Sequence, residues 1–345
     1  MKKIISLLLC ILIILTVFSL SLSSFAIDVS ISQGEEALVA QWQQAESHGF
    51  DYRSYSPVRD ADDTTKYPLV VFLHGKYSGT YEGEQLTASE FYKWSSSEYQ
   101  ARFKDSGGAF LLMPRTPKGD ANTWANTSFH EDLMALIKDY ISANENNIDT
   151  SRIYLVGWSM GGAGAISVAS NNPDLFAALI IMAPFDSVTK AQVTALKHTP
   201  IWLVTCTKDT TASYVTFANP FWKSIKDITE IPSYCRITRF SKYNYYDAGH
   251  HYVHLSVAND LLNQPSDCGM KTETAKGDTV TTSESESIIT WLSSHILGQA
   301  KEDNVCHCKC HASKGWTKFW WAITNFFNMI FSPSKKMCAC GTSHW

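Results

Sequence analysis

Charge of either sign is sparse in this sequence. Asp, Glu, Lys and Arg make up 18% of its 345 residues, 33 acidic against 29 basic, for a formal net charge of −4. With no long basic run in the body of the chain, the composition argues against a general nucleic-acid binder. Cysteine is scarce in the body as well. Only Cys206, Cys235 and Cys268 lie there, and three residues cannot all pair among themselves. A Cys235–Cys268 bridge is one pairing open to them. Long apolar runs are also lacking: Ile4 to Phe18 is short for a membrane span, and the aromatic stretch 316–331 is interrupted by polar residues. No internal repeat of useful length occurs.

What is present describes an ordinary globular protein, 45% hydrophobic, with room for one large α/β domain and appendages. Lys2 and Lys3 precede the apolar run, and a Ser-rich stretch ends in Ser24-Phe25-Ala26. A positive start, an apolar middle and small residues at −3 and −1 predict a secretory signal peptide over 1–26, cleaved after Ala26. An uncleaved anchor is the alternative. Cys10 lies inside the apolar region, away from where a lipoprotein cleavage site would be. The mature chain is therefore expected to be exported.

The body alternates buried strands with helical or looped segments. Tyr52 to Tyr55 reads as a short early strand, and Leu69 to Leu73 and Ala109 to Pro114 as continuous apolar strands covered on both faces. Leu133, Leu136, Ile137 and Ile141 recur at helical spacing within His130 to Asn144. Leu179 to Met182 and Ile201 to Val204 are two further short strands. Arg236 to Tyr243 reads as a last strand at the sheet edge, and Ser283 to Leu297 as a closing amphipathic helix. This interleaving predicts an α/β fold with a mostly parallel, doubly wound sheet and helices on both faces.

One stretch carries chemistry. The β-branched run Arg152 to Val156 leads directly into Gly157-Trp158-Ser159-Met160-Gly161, and a small-residue helix follows through Ala169. Gly-x-Ser-x-Gly between a strand and a helix is the context of a nucleophile elbow, in which the serine hydroxyl projects from the sheet edge. His74, Ser159, Asp209 and His250 all lie just after strand ends, so all are expected on one rim, where ligands of such sheets bind.

The pieces Tyr67 to Gly75, Ile148 to Tyr154, Gly157 to Gly162 and Asn172 to Ala178, in this order and spacing, resemble the α/β-hydrolase superfamily. The resemblance is to the secreted esterase and prolyl-oligopeptidase-like group, including polyhydroxybutyrate-depolymerase-like and feruloyl-esterase-like enzymes. It covers roughly residues 50–298. The implied organisation is a catalytic domain over 27–298, a linker over 299–305 and a Cys-rich aromatic tail over 306–345.

A serine needs a base to take its proton and a carboxylate to orient that base, in this fold in the chain order Ser, acid, His. The resemblance puts the acid at Asp209, with Asp247 and Asp186 as alternatives. It puts the base at His250, within Gly249-His250-His251-Tyr252-Val253-His254, with His251 and then His254 as alternatives. The oxyanion donors implied are the Met160 amide and one amide after His74-Gly75, from Lys76 or Tyr77. His74 itself is expected to be structural.

The activity implied is hydrolysis of carboxylic esters through an acyl-enzyme, with no cofactor, on a small-molecule or polysaccharide ester. Acyl or feruloyl groups on plant polysaccharide are the first choice. A serine peptidase and a catalytically dead binding module are the alternatives. Trp158, Trp124 and Tyr77 are expected to bind substrate, in company with Tyr81, Tyr214, Phe217, Phe221, Trp222, Tyr245 and Tyr246. In the tail, Cys306, Cys308, Cys310, Cys338 and Cys340 with two histidines suit either structural zinc or disulfides. The aromatic segment between them suits a cell-surface or membrane-interface association.

Overall fold

The computed structural model describes residues 33–59, 63–76, 84–117, 124, 127–243 and 250–298. The expectations for the signal peptide, the linker, the tail and its cysteines, Tyr77, Tyr81, Tyr245, Tyr246 and Asp247 lie outside the described residues. Ten strands among those described form one sheet: β1 (Gln43–Ser47), β2 (Phe50–Tyr55), β3 (Tyr67–Leu73), β4 (Phe110–Arg115), β5 (Ile148–Trp158), β6 (Ala178–Met182), β7 (Ile201–Cys206), β8 (Arg236–Phe240), β9 (Lys271–Thr274) and β10 (Thr279–Val280). Their spatial order is β1-β2-β4-β3-β5-β6-β7-β8-β9-β10. From β4 to β8 neighbouring strands are parallel, and an antiparallel pair extends the sheet on each side.

The parallel centre follows from composition. Every residue of β3, β4, β6 and β7 is buried, as continuous apolar runs require when both faces of a sheet are covered. The faces separate by the two-residue period of the strand. Leu69, Val71, Leu155, Leu179, Ile181 and Leu203 pack in one core with the helices His130–Ala143, Met160–Asn171 and Asn219–Ile228. On the other face Phe72 meets Phe91 and Trp94, with ring centroids 4.4 and 5.2 Å away, and Trp202 meets Trp291 at 5.2 Å. Tyr154 closes that layer by donating its hydroxyl proton to the His295 carbonyl at 2.8 Å.

Three sequence expectations are corrected. β8 is an interior strand, because the short polar segment β9 pairs with it and β10 pairs with β9. Neither β9 (Lys-Thr-Glu-Thr) nor β1 (Gln-Gln-Ala-Glu-Ser) carries an apolar alternation, so their pairing came from tertiary context. β1 turns into β2 through His48 and Gly49, at φ 50° and 77°, the pair of left-handed conformations that a tight two-residue hairpin demands. The closing helix is shorter than expected, Ile288–Ser293, and buried along its whole length. Cys206, Cys235 and Cys268 are all free and buried, so no Cys235–Cys268 bridge forms. Burial pushes the Cys235 thiol up to about 11, leaving it an inert core group.

Candidate active site

Ser159 occupies the sharp turn between β5 and the helix Met160–Asn171, with φ 55° and ψ −118°. Side chains other than glycine avoid this conformation, and the surroundings enforce it. The Ser159 amide donates to Met182 at the end of β6 at 2.8 Å, and the Phe185 amide donates to the Ser159 carbonyl at 3.1 Å. Glycine is required beside it for contact rather than torsion. A Cβ on Gly161 would fall on the Leu73 carbonyl of β3, and one on Gly157 on the Gly161 carbonyl. Strand and helix therefore approach to backbone distance, and the serine is driven outward at their junction.

Asp209 follows β7. One of its carboxylate oxygens, Oδ1, accepts from the Thr211 and Ala212 amides at 2.8 and 2.9 Å, which orients the other. Oδ2 lies 2.8 Å from His251 Nδ1, and His251 Nε2 lies 2.9 Å from Ser159 Oγ. The Asp209 side chain is fully buried and the His251 side chain 12% exposed. An ionised carboxylate only accepts, so Nδ1 carries the imidazole proton and the Nε2 lone pair faces the serine hydroxyl.

The structure thus brings Ser159 and Asp209 together with His251, which corrects the choice of His250. His250 Nδ1 lies 2.7 Å from the Tyr243 carbonyl and 3.1 Å from its amide. The shorter contact makes it a donor to that carbonyl, and the ring is tied to its own loop. Successive side chains in such a segment diverge, so only one of the adjacent histidines can reach the serine. His254 is directed elsewhere too, buried at the start of the helix His254–Ala258. Asp186 is exposed and its Oδ1 accepts the amide of Ser187, apart from the histidine.

Met160 is the first residue of its helix, so its amide has no intrahelical acceptor and remains available to a developing negative charge. Lys76, three residues past the end of β3, is exposed. His74 is buried, donating from Nδ1 to the Gly75 carbonyl at 2.7 Å and accepting the Thr116 amide on Nε2 at 3.1 Å. It ties the ends of β3 and β4 together, with both ring nitrogens bonded to backbone groups.

Two aromatic residues expected to bind substrate are instead packing residues. Trp124 is 1% exposed, stacked on Phe50 at 5.9 Å, with Gly164 of the elbow helix against it. Trp158 is 7% exposed and donates its indole proton to the His251 carbonyl at 3.1 Å. Phe221 and Trp222 lie in the core. Among the described residues, exposed aromatics adjoin the site at Phe185, whose amide bonds the Ser159 carbonyl and whose ring, 50% exposed, contacts Phe217 at 5.4 Å, and at Tyr252, next to His251 and 38% exposed. Sequence reasoning named neither of them among the aromatics expected to bind substrate. Phe185 was findable, because it lies three residues past β6, on the rim that carries Ser159.

Three histidines are held neutral by burial: His74 down to about 4, and His254 and His295 each down to about 3. Their folded values lie below the unfolded one near 6.5, so the unfolded chain binds protons that the folded chain refuses. Stability is accordingly expected to fall as pH drops below about 6.5, by up to about 1.4 kcal/mol per pH unit for each histidine. Urea unfolding followed from pH 7 to pH 5 measures this, and a flat profile would contradict it.

The parallel sheet, the serine at the strand–helix turn, and an acid and a histidine following in that chain order define an α/β-hydrolase fold. Within that class, the family model described as PET hydrolase-like matches residues 125–259, the segment running from before the elbow to past His251. Cutinase est2 of Thermobifida alba is 34% identical over 98 residues, 28% of this chain and 31% of that protein. Cutinase cut1 of Thermobifida fusca is 34% identical over 93 residues, 27% of this chain and 28% of that one. Lipase 1 of Moraxella sp. (strain TA144) is 32% identical over 77 residues, 22% of this chain and 23% of that one. The chain thus matches a third or less of the length of these curated relatives. A crystal structure of a thermostable esterase superposes with a TM-score of 0.55 at 25% identity, over 65% of this chain and 62% of that one.

Proposed function

We propose that this protein is a serine hydrolase of carboxylic esters. The observation that carries the reading is the continuous Asp209–His251–Ser159 hydrogen-bonded chain, with contacts of 2.8 and 2.9 Å, ending on a serine held in an enforced left-handed turn. His251 Nε2 takes the hydroxyl proton as Ser159 Oγ attacks the acyl carbonyl. Asp209 stays ionised and stabilises the imidazolium. The Met160 amide receives the oxyanion, with a second donor from the loop after Gly75. His251 then protonates the departing alcohol, and water reverses the sequence to free the acid. No step calls for a cofactor.

The acyl group is proposed to be apolar or aromatic. Phe185, whose amide bonds the Ser159 carbonyl, and Tyr252, next to His251, both expose ring surface, whereas among the described residues no charged side chain is hydrogen-bonded to the triad apart from Asp209 itself. Feruloyl esters of plant polysaccharide satisfy this requirement through their phenolic acid, and longer aliphatic esters satisfy it through chain burial. Export, with the mature chain beginning at Ile27, is part of the proposal and rests on the leader Lys2 to Ala26.

A fluorophosphonate probe together with a panel of acetyl, butyryl, feruloyl and proline-containing peptide substrates tests the reading. Probe labelling at Ser159 and ester turnover are expected. Turnover of the peptide alone would move the assignment to a peptidase, and inertness to all would leave a binding module. Phe185→Ala is expected to raise KM for aromatic esters about 3- to 10-fold with little change in kcat, the loss of one aromatic contact. An unchanged KM would remove Phe185 from the acyl site.

A further inference from the structure

Trp158 sits at the meeting point of three parts of the site. It is bonded covalently to Ser159. Its indole N–H donates to the His251 carbonyl, and its six-membered ring fills the space where Gly75 has no side chain. The indole also makes ring contacts with His251 at 5.4 Å, Tyr252 at 5.5 Å and His254, stacked at 3.6 Å with 30° between the planes. The position of this indole therefore fixes where the backbone of the catalytic histidine sits relative to the nucleophile.

His254 is an unexpected residue to find beneath it. The ring is fully buried, its Nε2 reaches only the Ala88 carbonyl at 3.4 Å, and its Nδ1 has no partner among the described residues. A buried, unpartnered ring nitrogen is costly, and an aliphatic side chain would fill the space without that cost. What the imidazole adds is a flat, polarisable face held in one orientation. Burial keeps it neutral, so it puts no positive charge beside His251 when that residue becomes an imidazolium.

We propose that His254 is a positioning residue for the reaction: its ring, stacked on Trp158, holds the indole where its N–H reaches the His251 carbonyl, and so keeps the imidazole between Ser159 and Asp209. The role is indirect, because His254 touches neither the serine nor the acid. It works on geometry alone, and small displacements of a catalytic group are enough to lower turnover strongly. The inference rests on the proposed ester hydrolysis.

The test compares His254→Leu, which fills the volume without a flat face, with His254→Phe, which restores the face without the ring nitrogens. Both are made in the full chain, and kcat and KM for p-nitrophenyl butyrate are normalised to the serine titrated by a fluorophosphonate. His254→Leu is expected to lower kcat per titrated serine about 10- to 30-fold with KM within about twofold, and His254→Phe to recover at least about a third of wild-type kcat. In a Trp158→Leu background, His254→Leu should add less than about threefold, because the residue through which it acts is gone. Should His254→Leu fail to fold, His254→Met carries the same comparison. A kcat per titrated serine within about twofold of wild type for the aliphatic variant, an equal loss in both backgrounds, or a phenylalanine variant as impaired as the leucine one would overturn the inference. Wild-type protein inert to both ester and probe would instead overturn the hydrolase reading.

Discussion

Alanine at position 251 is expected to lower kcat on p-nitrophenyl butyrate by about 10⁴-fold or more, whereas alanine at position 250 costs less than about tenfold. The two histidines are adjacent, and their environments separate them. His251 spans from the Asp209 carboxylate at 2.8 Å to the serine hydroxyl at 2.9 Å, so its loss removes the base in contact with the nucleophile. His250 bonds the backbone of Tyr243, and its loss releases a loop contact while the triad stays intact. Measuring kcat and KM for both variants, normalised to the folded fraction by circular dichroism, decides between them. A His250 variant as inactive as the His251 variant would mean that the histidine loop rearranges when substrate binds.

Glycine at position 159 is expected to abolish turnover and probe labelling, again by about 10⁴-fold or more, and at the same time to make the protein more stable. Serine at φ 55° and ψ −118° carries a strain of about 1–3 kcal/mol that glycine does not. Part of that gain is offset by the greater freedom of glycine in the unfolded chain, about 0.5–1 kcal/mol. The net expectation is about 1 kcal/mol, or a rise in Tm of about 2–4 °C for a domain of this size. Ser159→Ala separates the two effects. It loses the hydroxyl but keeps a Cβ in the strained turn, so turnover disappears without the gain in Tm. If the glycine and alanine variants melt together, the turn stores no strain, and the neighbouring backbone sets its shape at no cost.

The strained turn and its neighbours also explain which parts of the site were legible in the sequence. The elbow was legible because it is local. A β-branched strand, a serine between glycines and a small-residue helix occupy consecutive positions, and backbone sterics alone convert that order into a sharp turn with the serine at its tip. Asp209 was reachable because it directly follows a buried strand. The choice among His250, His251 and His254 was not, since all three follow the same strand and no local rule says which ring crosses to the serine.

The aromatics divide in the same way. Trp158 lies inside the motif and Trp124 in a loop that precedes the helix His130–Ala143, and as large aromatics near the site they suggested a substrate surface. Both are buried because the elbow helix and the histidine loop close over them. Phe185 looked unremarkable in sequence and is half exposed beside the nucleophile, because the Phe185 amide is tied to the Ser159 carbonyl. At the sheet margins, the polar strands β1 and β9 carried no periodic signal and were recruited by the exposed edges of their neighbours.

By itself, then, the sequence determined the parallel centre of the sheet, the elbow serine and the order in which its partners follow. Each depends on residues adjacent in the chain, where burial and backbone sterics act within a few positions. Tertiary structure decided which histidine bonds to Ser159 and Asp209, which aromatic rings stay exposed and which are buried in the core, and where the sheet ends. Those outcomes depend on segments from 26 to more than 90 residues apart, such as Phe185 and His251 converging on Ser159, and they become defined only when the sheet brings its strand ends to one rim.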